Sequence, residues 1–385
     1  MRVAYVNYGA QSGVTASLTR ALQAGGAEVE EVNALGPLEL RWAKTRLPRP
    51  TPSVLWGVAL SVLQYGERWR FRMINTPFSF DVHSAAVGRE LLALARRPLS
   101  PPDVILQNGA LFAPGQKPVA PYVLLLDNTC AITEKWPAAP EVGLLPERTF
   151  GPDWFRRETA LYLGARAIAT FSAVVRDSLL RDYGVDPARV HVVGAGCNIF
   201  PERVERHHDG QTFLFVGKES WPRKGGPVLL RAFARLRRER PSARLILVGP
   251  SEQFELPEGA VNLGLQSFAK VQELFSQATA FVLPTLREPF GIAFLDALAC
   301  GVPCIGTNVG AVPEMLDNGA LGRLVPPGDE AALCAAMREL LDDPARAEAM
   351  GAAGRLKIAE RCRWEHVAQR LLPLLRGEPG GQRAA

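Results

Sequence analysis

The sequence predicts an α/β fold built from two doubly wound domains, each with a parallel sheet covered by helices. Three observations support this prediction. First, apolar, strand-like runs alternate with helix-like segments along both halves of the chain. Second, a chain of 385 residues is too long for a single hydrophobic core. Third, the pattern of a strand, a loop, a helix and a second strand is recognisable between Phe281 and Thr307. A hydrophobic content of 47% and a charged content of 22% are typical of a globular protein.

The segment from Phe281 to Thr307 contains two carboxylates in unusual places. Glu288 lies in the loop after the strand, and Asp296 lies in a helix whose other residues leave no polar face. Burying an unpaired carboxylate costs several kcal/mol, on the order of the penalty for any unsatisfied polar group. Asp296 therefore needs hydrogen-bond partners, and capping of a neighbouring loop is one alternative. For Glu288 the corresponding alternative is a solvated loop charge.

The residues from Glu288 to Pro303 read EPFGIAFLDALACGVP. This stretch resembles the signature of the retaining GT-B glycosyltransferases of family 4, also called glycosyl transferases group 1, in which a Glu, seven residues and a second Glu follow one another. Asp296 replaces the second Glu, which keeps the charge and shortens the side chain by one methylene. The resemblance implies two facing Rossmann-like domains and a C-terminal helix that crosses back to the first domain. It also implies transfer of a sugar from a nucleotide sugar, UDP- or GDP-linked, to a hydroxyl acceptor.

Two lysines flank a turn after the first predicted strand of the second half, at Lys218 and Lys224. Lysine binds phosphate as a point charge, although each could equally be an ordinary surface lysine. The family has Gly-Arg, a short turn and Lys-Gly here, so the resemblance assigns both lysines to the diphosphate. The implied catalytic residues are Glu288, Lys218 and Lys224, and the implied donor-binding residues are Gly217, Lys218, Lys224, Gly249, Leu263, Glu288, Phe290, Gly291, Ile292 and Asp296. We expect no cofactor and no metal ion, because no Asp-x-Asp stands in a strand-end loop.

The first half supplies loops at the carboxyl ends of predicted parallel strands, where ligands bind in such folds. A small-residue loop after the first strand contains Gly9, Ser12 and Gly13, and the resemblance assigns it to donor phosphates and acceptor. Asp127 and Asn128 follow another strand, at a place where many family members have a histidine near the transferred sugar. Which residue contacts the sugar there is left open.

The predicted division of the chain has five parts. They are an acceptor-side domain (1–200), a polar linker (201–211), a nucleotide-sugar-binding domain (212–362), a crossover helix (363–376) and a disordered tail (377–385).

The net charge of +5 is concentrated between Leu38 and Ser100, where aromatic residues are interleaved with basic ones. Basic residues with interfacial aromatics suit an anionic membrane surface, so segment 38–100 is a candidate for peripheral membrane contact. The alternative is a solvated basic face with aromatic side chains in the core. No nucleic-acid recognition module is visible, so we expect no nucleic-acid partner.

The six cysteines are scattered and the five histidines lack partners at metal-ligand spacing, which disfavours a zinc site and indicates reduced thiols. The longest apolar stretch, Val54 to Leu63, is too short to span a bilayer, and the N-terminus reads as a strand rather than a signal peptide. These features predict a cytoplasmic protein, with peripheral contact at the inner membrane face as an addition.

Two other functions are considered beside the transferase. The substitutions at Lys218, Asn128 and Asp296 are compatible with an inactive protein that binds a nucleotide sugar or a glycan. An NAD-linked oxidoreductase is disfavoured because no Gly-x-Gly-x-x-Gly follows a strand, and the nearest match, Gly194-Ala195-Gly196, runs into a polar linker.

Overall fold

A computed structural model describes residues 1–8, 13–34, 59, 62–63, 77–97, 101–136, 150–217, 220–251 and 254–378, apart from the side chain of Phe78. These residues form two compact units. The first contains the described residues up to Lys135, those from 150 to Gly194 and those from Trp364 onward, and the second contains Trp136 and the described residues from Ala195 to Arg363. The chain therefore passes between the units at Gly194, whereas the sequence places the end of the first domain at residue 200.

The first unit is built on a parallel sheet with the strand order β2-β1-β3-β4-β5-β6. The chain starts in an inner strand, moves outward to β2, and then returns to add β3 to β6 on the other side, which is the doubly wound topology that the sequence predicts. The elements in chain order are β1 (Arg2–Asn7), α1 (Val14–Ala24), β2 (Glu28–Asn33), α2 (Pro77–Ala95), β3 (Val104–Asn108), β4 (Tyr122–Leu126), α3 (Cys130–Glu134), α4 (Pro152–Gly164), β5 (Ala167–Thr170), α5 (Ala173–Tyr183) and β6 (Val190–Val192).

The second unit repeats this plan with the strand order β12-β11-β10-β7-β8-β9, again all parallel. Its elements are β7 (Thr212–Val216), α6 (Gly226–Glu239), β8 (Arg244–Val248), β9 (Ala260–Asn262), α7 (Phe268–Gln277), β10 (Ala280–Val282), α8 (Ile292–Ala299), β11 (Cys304–Thr307), α9 (Val312–Met315), β12 (Gly322–Val325), α10 (Glu330–Asp342) and α11 (Pro344–Arg361). The two-domain α/β fold is thus confirmed.

The inner strands are apolar because helices cover both faces of each sheet. Every residue of β3 and β4 is buried. The polar residues of β3 are Gln107 and Asn108, at its carboxyl end. The start of α5 is fixed by Ser172, whose side-chain oxygen accepts a hydrogen bond from the amide of Val175 at 3.4 Å. In β3 the polar side chains therefore lie at the carboxyl end, where a parallel sheet binds ligands.

The last helix, α12 (Trp364–Arg376), belongs to the first unit although it follows the second in sequence. It packs on α1, and the guanidinium of Arg166 donates to the carbonyl oxygen of Leu375 at 3.2 Å. The ring of Trp364, at its first position, lies 6.4 Å from that of Phe171. The predicted return of the C-terminal helix to the first domain is confirmed.

Most of the basic aromatic segment 38–100 lies outside the described residues, and α2 is its main described part. Phe80 on α2 is buried and packs edge-on against Trp154 at 5.5 Å between ring centroids. This aromatic residue therefore belongs to the core. Within the described ranges, none of the helices is long and apolar enough to cross a membrane.

Candidate active site

Glu288 and Lys224 come together at the carboxyl edge of the second sheet. Lys224 follows β7 and Glu288 follows β10, and these strands are parallel neighbours, so both loops leave the same edge. The Nζ atom of Lys224 donates a hydrogen bond to Oε2 of Glu288. The Glu288 side chain is 6% exposed and that of Lys224 is 16% exposed. Neither residue is therefore a freely solvated surface charge.

The backbone between the two loops is fixed by hydrogen bonds around Arg223. The carbonyl oxygen of Arg223 accepts from the amide of Leu286 at 2.8 Å and from the hydroxyl of Thr285 at 3.1 Å. In return, its guanidinium donates to the carbonyl oxygen of Arg287 at 3.0 Å. These bonds hold the residues on either side of Glu288 and Lys224, so the ion pair rests on a rigid frame. Sequence reasoning did not identify Arg223 or Thr285, since neither residue type stands out at a strand end.

Two glycines allow the loops to approach this closely. Gly225 has φ +74° and Gly310 has φ +55°, both in the left-handed region that favours glycine. A Cβ atom at Gly225 would collide with the carbonyl oxygen of Pro284, and one at Gly310 would collide with the carbonyl oxygen of Glu288. Gly310 lies in the loop after β11, the strand beside β10, so three neighbouring loops converge on Glu288.

Helix α8 begins directly after this loop, with Gly291 as its N-cap and Ile292 as its first residue. Gly291 offers no side chain, so no side-chain cap covers the backbone amides at this end. Phe290 is buried before the helix. An uncapped helix N-terminus beside a lysine favours an anionic ligand.

Asp296 is buried in α8, as predicted, and its hydrogen bonds go to backbone amides. Its Oδ1 atom accepts from the amides of Asn198 at 2.6 Å and Ile199 at 3.0 Å. The same loop is held at Cys197, whose amide donates to the carbonyl oxygen of Cys362 at 2.9 Å. This is the geometry that the loop-capping alternative describes, and it anchors residues 197–199 to α8.

Burial is the main influence on the Asp296 carboxyl group and raises its pKa to about 7, while the hydrogen bonds from the amides of Ile199 and Asn198 act in the opposite direction. The desolvation of the charged form therefore outweighs the stabilisation by the two amides. Asp296 is a carboxyl group whose proton equilibrium lies near neutral pH.

The other predicted donor residues lie at the ends of β7, β8 and β9 and are held by main-chain hydrogen bonds. The amide of Gly217 donates to Val248 at 2.9 Å, that of Gly249 to Gly264 at 2.8 Å and that of Leu263 to Leu247 at 2.9 Å. Lys218 lies outside the described residues. The structure thus places Gly217, Gly249 and Leu263 along one edge of the sheet, on the side of β7 away from Glu288.

In the first unit, Gly13 forms the N-cap of α1, and Asp127 and Asn128 follow β4. The amide nitrogen of the Asn128 side chain donates to the hydroxyl of Thr133 at 2.7 Å. Gly9 and Ser12 lie outside the described residues. These loops leave the carboxyl edge of the first sheet, as the sequence predicts.

A buried carboxylate that sequence reasoning missed supports the loop after β4. Glu158 on α4 accepts hydrogen bonds from the hydroxyls of Tyr162 at 2.7 Å and Tyr183 at 2.5 Å and from the amide of Cys130 at 3.1 Å. Burial raises the pKa of Glu158, while these bonds favour its charged form. Because Cys130 begins α3, the cluster fixes the chain directly after Asn128. Its only signal in the sequence is a Glu on the apolar side of a helix.

Among the described residues, no group of three or more His, Cys, Asp or Glu is placed to hold a metal ion. The expectation of catalysis without a metal stays a prediction.

Residues 210–343 match the family model of the glycosyl transferases group 1. This part of the chain is therefore similar to a group 1 glycosyl transferase domain. Lys224, Glu288 and Asp296 all lie within it. The chain is also 30% identical over 248 residues to alpha-maltose-1-phosphate synthase from Mycolicibacterium smegmatis, a match that covers 55% of this chain and 63% of that protein. The chain thus spans less than two thirds of this relative's length.

Solved glycosyltransferase structures share the fold. Sucrose-phosphate synthase from Thermosynechococcus elongatus superposes with a TM-score of 0.72 at 20% identity, covering 98% of both chains. HepE from Anabaena, in complex with UDP and glucose, superposes with a TM-score of 0.64 at 15% identity and covers 98% of this chain and 99% of its own. At such low identities the likeness establishes the two-domain fold, while the family match rests on the group 1 glycosyl transferase domain.

Proposed function

We propose that this protein is a retaining, metal-independent glycosyltransferase that moves a sugar from a nucleoside diphosphate sugar to a hydroxyl acceptor. The observation that carries the proposal is the buried ion pair of Lys224 and Glu288 at adjoining strand ends of the group 1 glycosyl transferase domain. An inactive protein that binds nucleotide sugars on the same scaffold is the alternative.

Lys224 suits the charge that the reaction develops. When the bond between the anomeric carbon and the phosphate oxygen breaks, the nucleoside diphosphate leaves with the electron pair and gains negative charge. A preorganised cation beside it stabilises this change. An ammonium group carries three donor protons and Glu288 takes one, so donors remain for the diphosphate. The amides of Gly291 and Ile292, at the uncapped start of α8, are proposed to bind the same group.

Glu288 is proposed to accept hydrogen bonds from the hydroxyls of the transferred sugar. Its partner Lys224 balances its charge in the buried site, so a neutral sugar can be bound without leaving an isolated anion. The acceptor oxygen then bonds to the anomeric carbon on the face that the diphosphate has left, which retains the configuration, and the hydroxyl proton passes to the departing diphosphate.

Asp296 is proposed to contact the ribose diol, with loop anchoring as its specific alternative. The bonds from Asn198 and Ile199 to Oδ1 favour anchoring for that oxygen. Replacement by Asn keeps an acceptor oxygen at this place. We expect Asp296→Asn to raise the KM for the donor if the ribose role holds, and to change only stability if anchoring is its whole function.

The test is turnover by Glu288→Gln, measured as release of nucleoside diphosphate from a panel of UDP- and GDP-sugars. UDP-glucose is the first donor to test, because HepE, which shares the fold, binds UDP and glucose. We expect a loss of at least about 100-fold, as when a transition-state contact is removed. Glu273→Gln is the matched control, since Glu273 pairs with Lys270 on the surface of the same unit. Near-normal transfer by Glu288→Gln would defeat the assignment, and binding without donor consumption by the wild type would favour the inactive alternative.

Cytoplasmic placement with peripheral contact through segment 38–100 also remains a proposal. It is tested by co-sedimentation with vesicles of neutral and of anionic lipid. Negligible and equal sedimentation with both would remove the membrane contact.

A further inference from the structure

An aromatic cluster lies at the carboxyl edge of the first sheet, and the residues discussed so far do not include it. Tyr8 follows β1, Phe112 follows β3, and His83 reaches them from α2. The ring of Tyr8 lies 6.0 Å from that of Phe112 and 5.7 Å from that of His83, and the rings of His83 and Phe112 stack at 6.3 Å. Phe112 is buried, whereas Tyr8 and His83 are partly exposed. The cluster therefore presents Tyr8 and His83 to a ligand over a buried support.

The hydrogen bonds of His83 determine its tautomer. Its Nδ1 atom lies 2.7 Å from the carbonyl oxygen of Ser79, which can only accept a hydrogen bond, so Nδ1 carries the proton. In the neutral ring, Nε2 then has a free lone pair and acts as an acceptor. Burial lowers the pKa of His83, more than the bond to Ser79 raises it, and so favours this neutral form.

Within the described ranges, neither Nε2 of His83 nor the hydroxyl of Tyr8 makes a hydrogen bond to the protein. A third polar group at this sheet edge is also incomplete: Oδ1 of Asn128, after β4, is buried and unpaired among the described residues. An unpaired buried acceptor costs free energy, so a donor from outside the protein is favoured there. Two of these three groups, Nε2 of His83 and Oδ1 of Asn128, can only accept hydrogen bonds. They therefore favour a ligand with several hydroxyl donors.

The helices connect these groups within one unit. Phe80, one turn before His83 on α2, packs against Trp154, and the indole nitrogen of Trp154 donates to the sulfur of Cys130 at 3.1 Å. Cys130 is two residues after Asn128. The elements that carry His83 and Asn128 are thus held together through the core rather than by exposed loops.

We propose that Tyr8 and His83 form the acceptor subsite and that the acceptor is a neutral sugar ring. This inference rests on the proposed function. The ring of Tyr8 stacks on the apolar face of the sugar, and Nε2 of His83 accepts a hydrogen bond from one of its hydroxyls. Acceptor atoms bind hydroxyl donors and repel an anion, and a partly exposed aromatic ring suits the flat, C–H-bearing face of a sugar. His83 is a positioning residue here and takes no proton.

The experiment measures transfer from UDP-glucose, or from the donor that the panel identifies, to methyl glycosides of glucose, mannose and galactose. The variants are His83→Phe and Tyr8→Leu, which remove the acceptor atom and the ring. We expect either change to raise the KM for the glycoside about tenfold, as loss of one net hydrogen bond or ring contact would. The effect should fall on the KM for the glycoside rather than on the KM for the donor, and the surface variant Glu273→Gln should change neither value.

His83→Gln and Tyr8→Phe are the matched rescue variants. The Gln side chain reaches as far as Nε2 and offers an acceptor there, and Phe keeps the ring, so both should stay within about threefold of the wild type. Thermal unfolding checks that all four variants fold, and binding of the methyl glycoside is followed by saturation-transfer NMR as a readout besides turnover.

The outcomes separate the subsite from the proposed function. Donor hydrolysis by the wild type with no glycoside binding, or with a glycoside KM that His83→Phe leaves unchanged, overturns the subsite and leaves the transferase standing. Stimulation by an anionic or lipid acceptor alone overturns it in the same way. A wild type that consumes none of the donors overturns both.

Discussion

The carboxyl group of Asp296 should make the stability of the second unit depend on pH in an unusual direction. Its pKa is raised from 3.8 to about 7 by burial. Between these values the unfolded chain has lost the proton that the folded chain keeps, so the free energy of unfolding falls as the pH rises. Most paired carboxyl groups, with lowered pKa values, have the opposite effect.

The magnitude follows from the shift. A difference of about three pH units at about 1.4 kcal/mol each gives a total loss of about 4 kcal/mol, spread from below pH 4 to about pH 8. Asp296→Asn removes the titration and keeps an oxygen that can accept from the amides of Asn198 and Ile199. The difference between the wild type and this variant therefore isolates the single carboxyl group, because all other titrating groups are common to both.

The assay is urea unfolding of both proteins at pH 5, 6, 7 and 8. We expect the unfolding free energy of the wild type, minus that of Asp296→Asn, to fall by about 1.4 kcal/mol from pH 5 to 6, by less from pH 6 to 7, and to level off by pH 8. A difference that stays flat or rises over this range would refute the reasoning. It would mean that the two amides, rather than the burial, control the pKa of this carboxyl group.

Three further predictions concern the neighbouring contacts. Lys224→Met leaves Glu288 buried without its partner, so it should lower the free energy of unfolding by about 3–5 kcal/mol and weaken donor binding. Lys270→Met breaks an exposed ion pair and should change the free energy of unfolding little in the same urea assay. Gly310→Ala should abolish donor turnover, because the added methyl group collides with the backbone of Glu288. Gly184→Ala has a similar φ and no neighbouring atom, so it should lower the free energy of unfolding by only about 1 kcal/mol. Equal effects of the two changes on turnover and on unfolding would exclude the collision as the cause. Tyr183→Phe removes one hydrogen bond to Glu158 and should lower the free energy of unfolding by about 1–3 kcal/mol. A thermal midpoint equal to that of the wild type would show that this hydrogen bond does not stabilise the fold.

The fold could be predicted from the sequence because its main signals are local. Parallel strands buried on both faces are continuous apolar runs, and the alternation of such runs with amphipathic helices fixes the class. The return of α12 to the first unit came from the family resemblance, since the contact between α12 and α1 joins opposite ends of the chain. No local pattern reports such a contact.

The sequence singles out the residues of the candidate site one by one, but it does not show how they are arranged. Glu288 and Lys224 are 64 positions apart, and their pairing depends on β7 and β10 being neighbours in the sheet. Strand order is set by packing of the whole domain, so the sequence could indicate two separate ligand contacts and not a buried ion pair. The requirement for glycine at position 310 could not be predicted either. It arises because the carbonyl oxygen of Glu288 lies where a Cβ atom would be, and only the structure shows this contact.

Asp296 shows how one buried carboxyl group can bind a loop to a helix. The sequence predicts that a carboxylate in an apolar helix needs donors, and this holds: two backbone amides supply them. A Glu at this position, with one more methylene, would carry its oxygens farther from the helix axis than Asp does. Oδ1 of Asp296 lies 2.6 Å from the amide of Asn198, so the first loop of the second unit is bound directly to the helix that begins beside Glu288. Loss of that bond should therefore speed amide hydrogen exchange in residues 197–199 and in α8 together. The comparison of Asp296→Ala with Asp296→Asn measures this effect, because only Ala removes the acceptor oxygen.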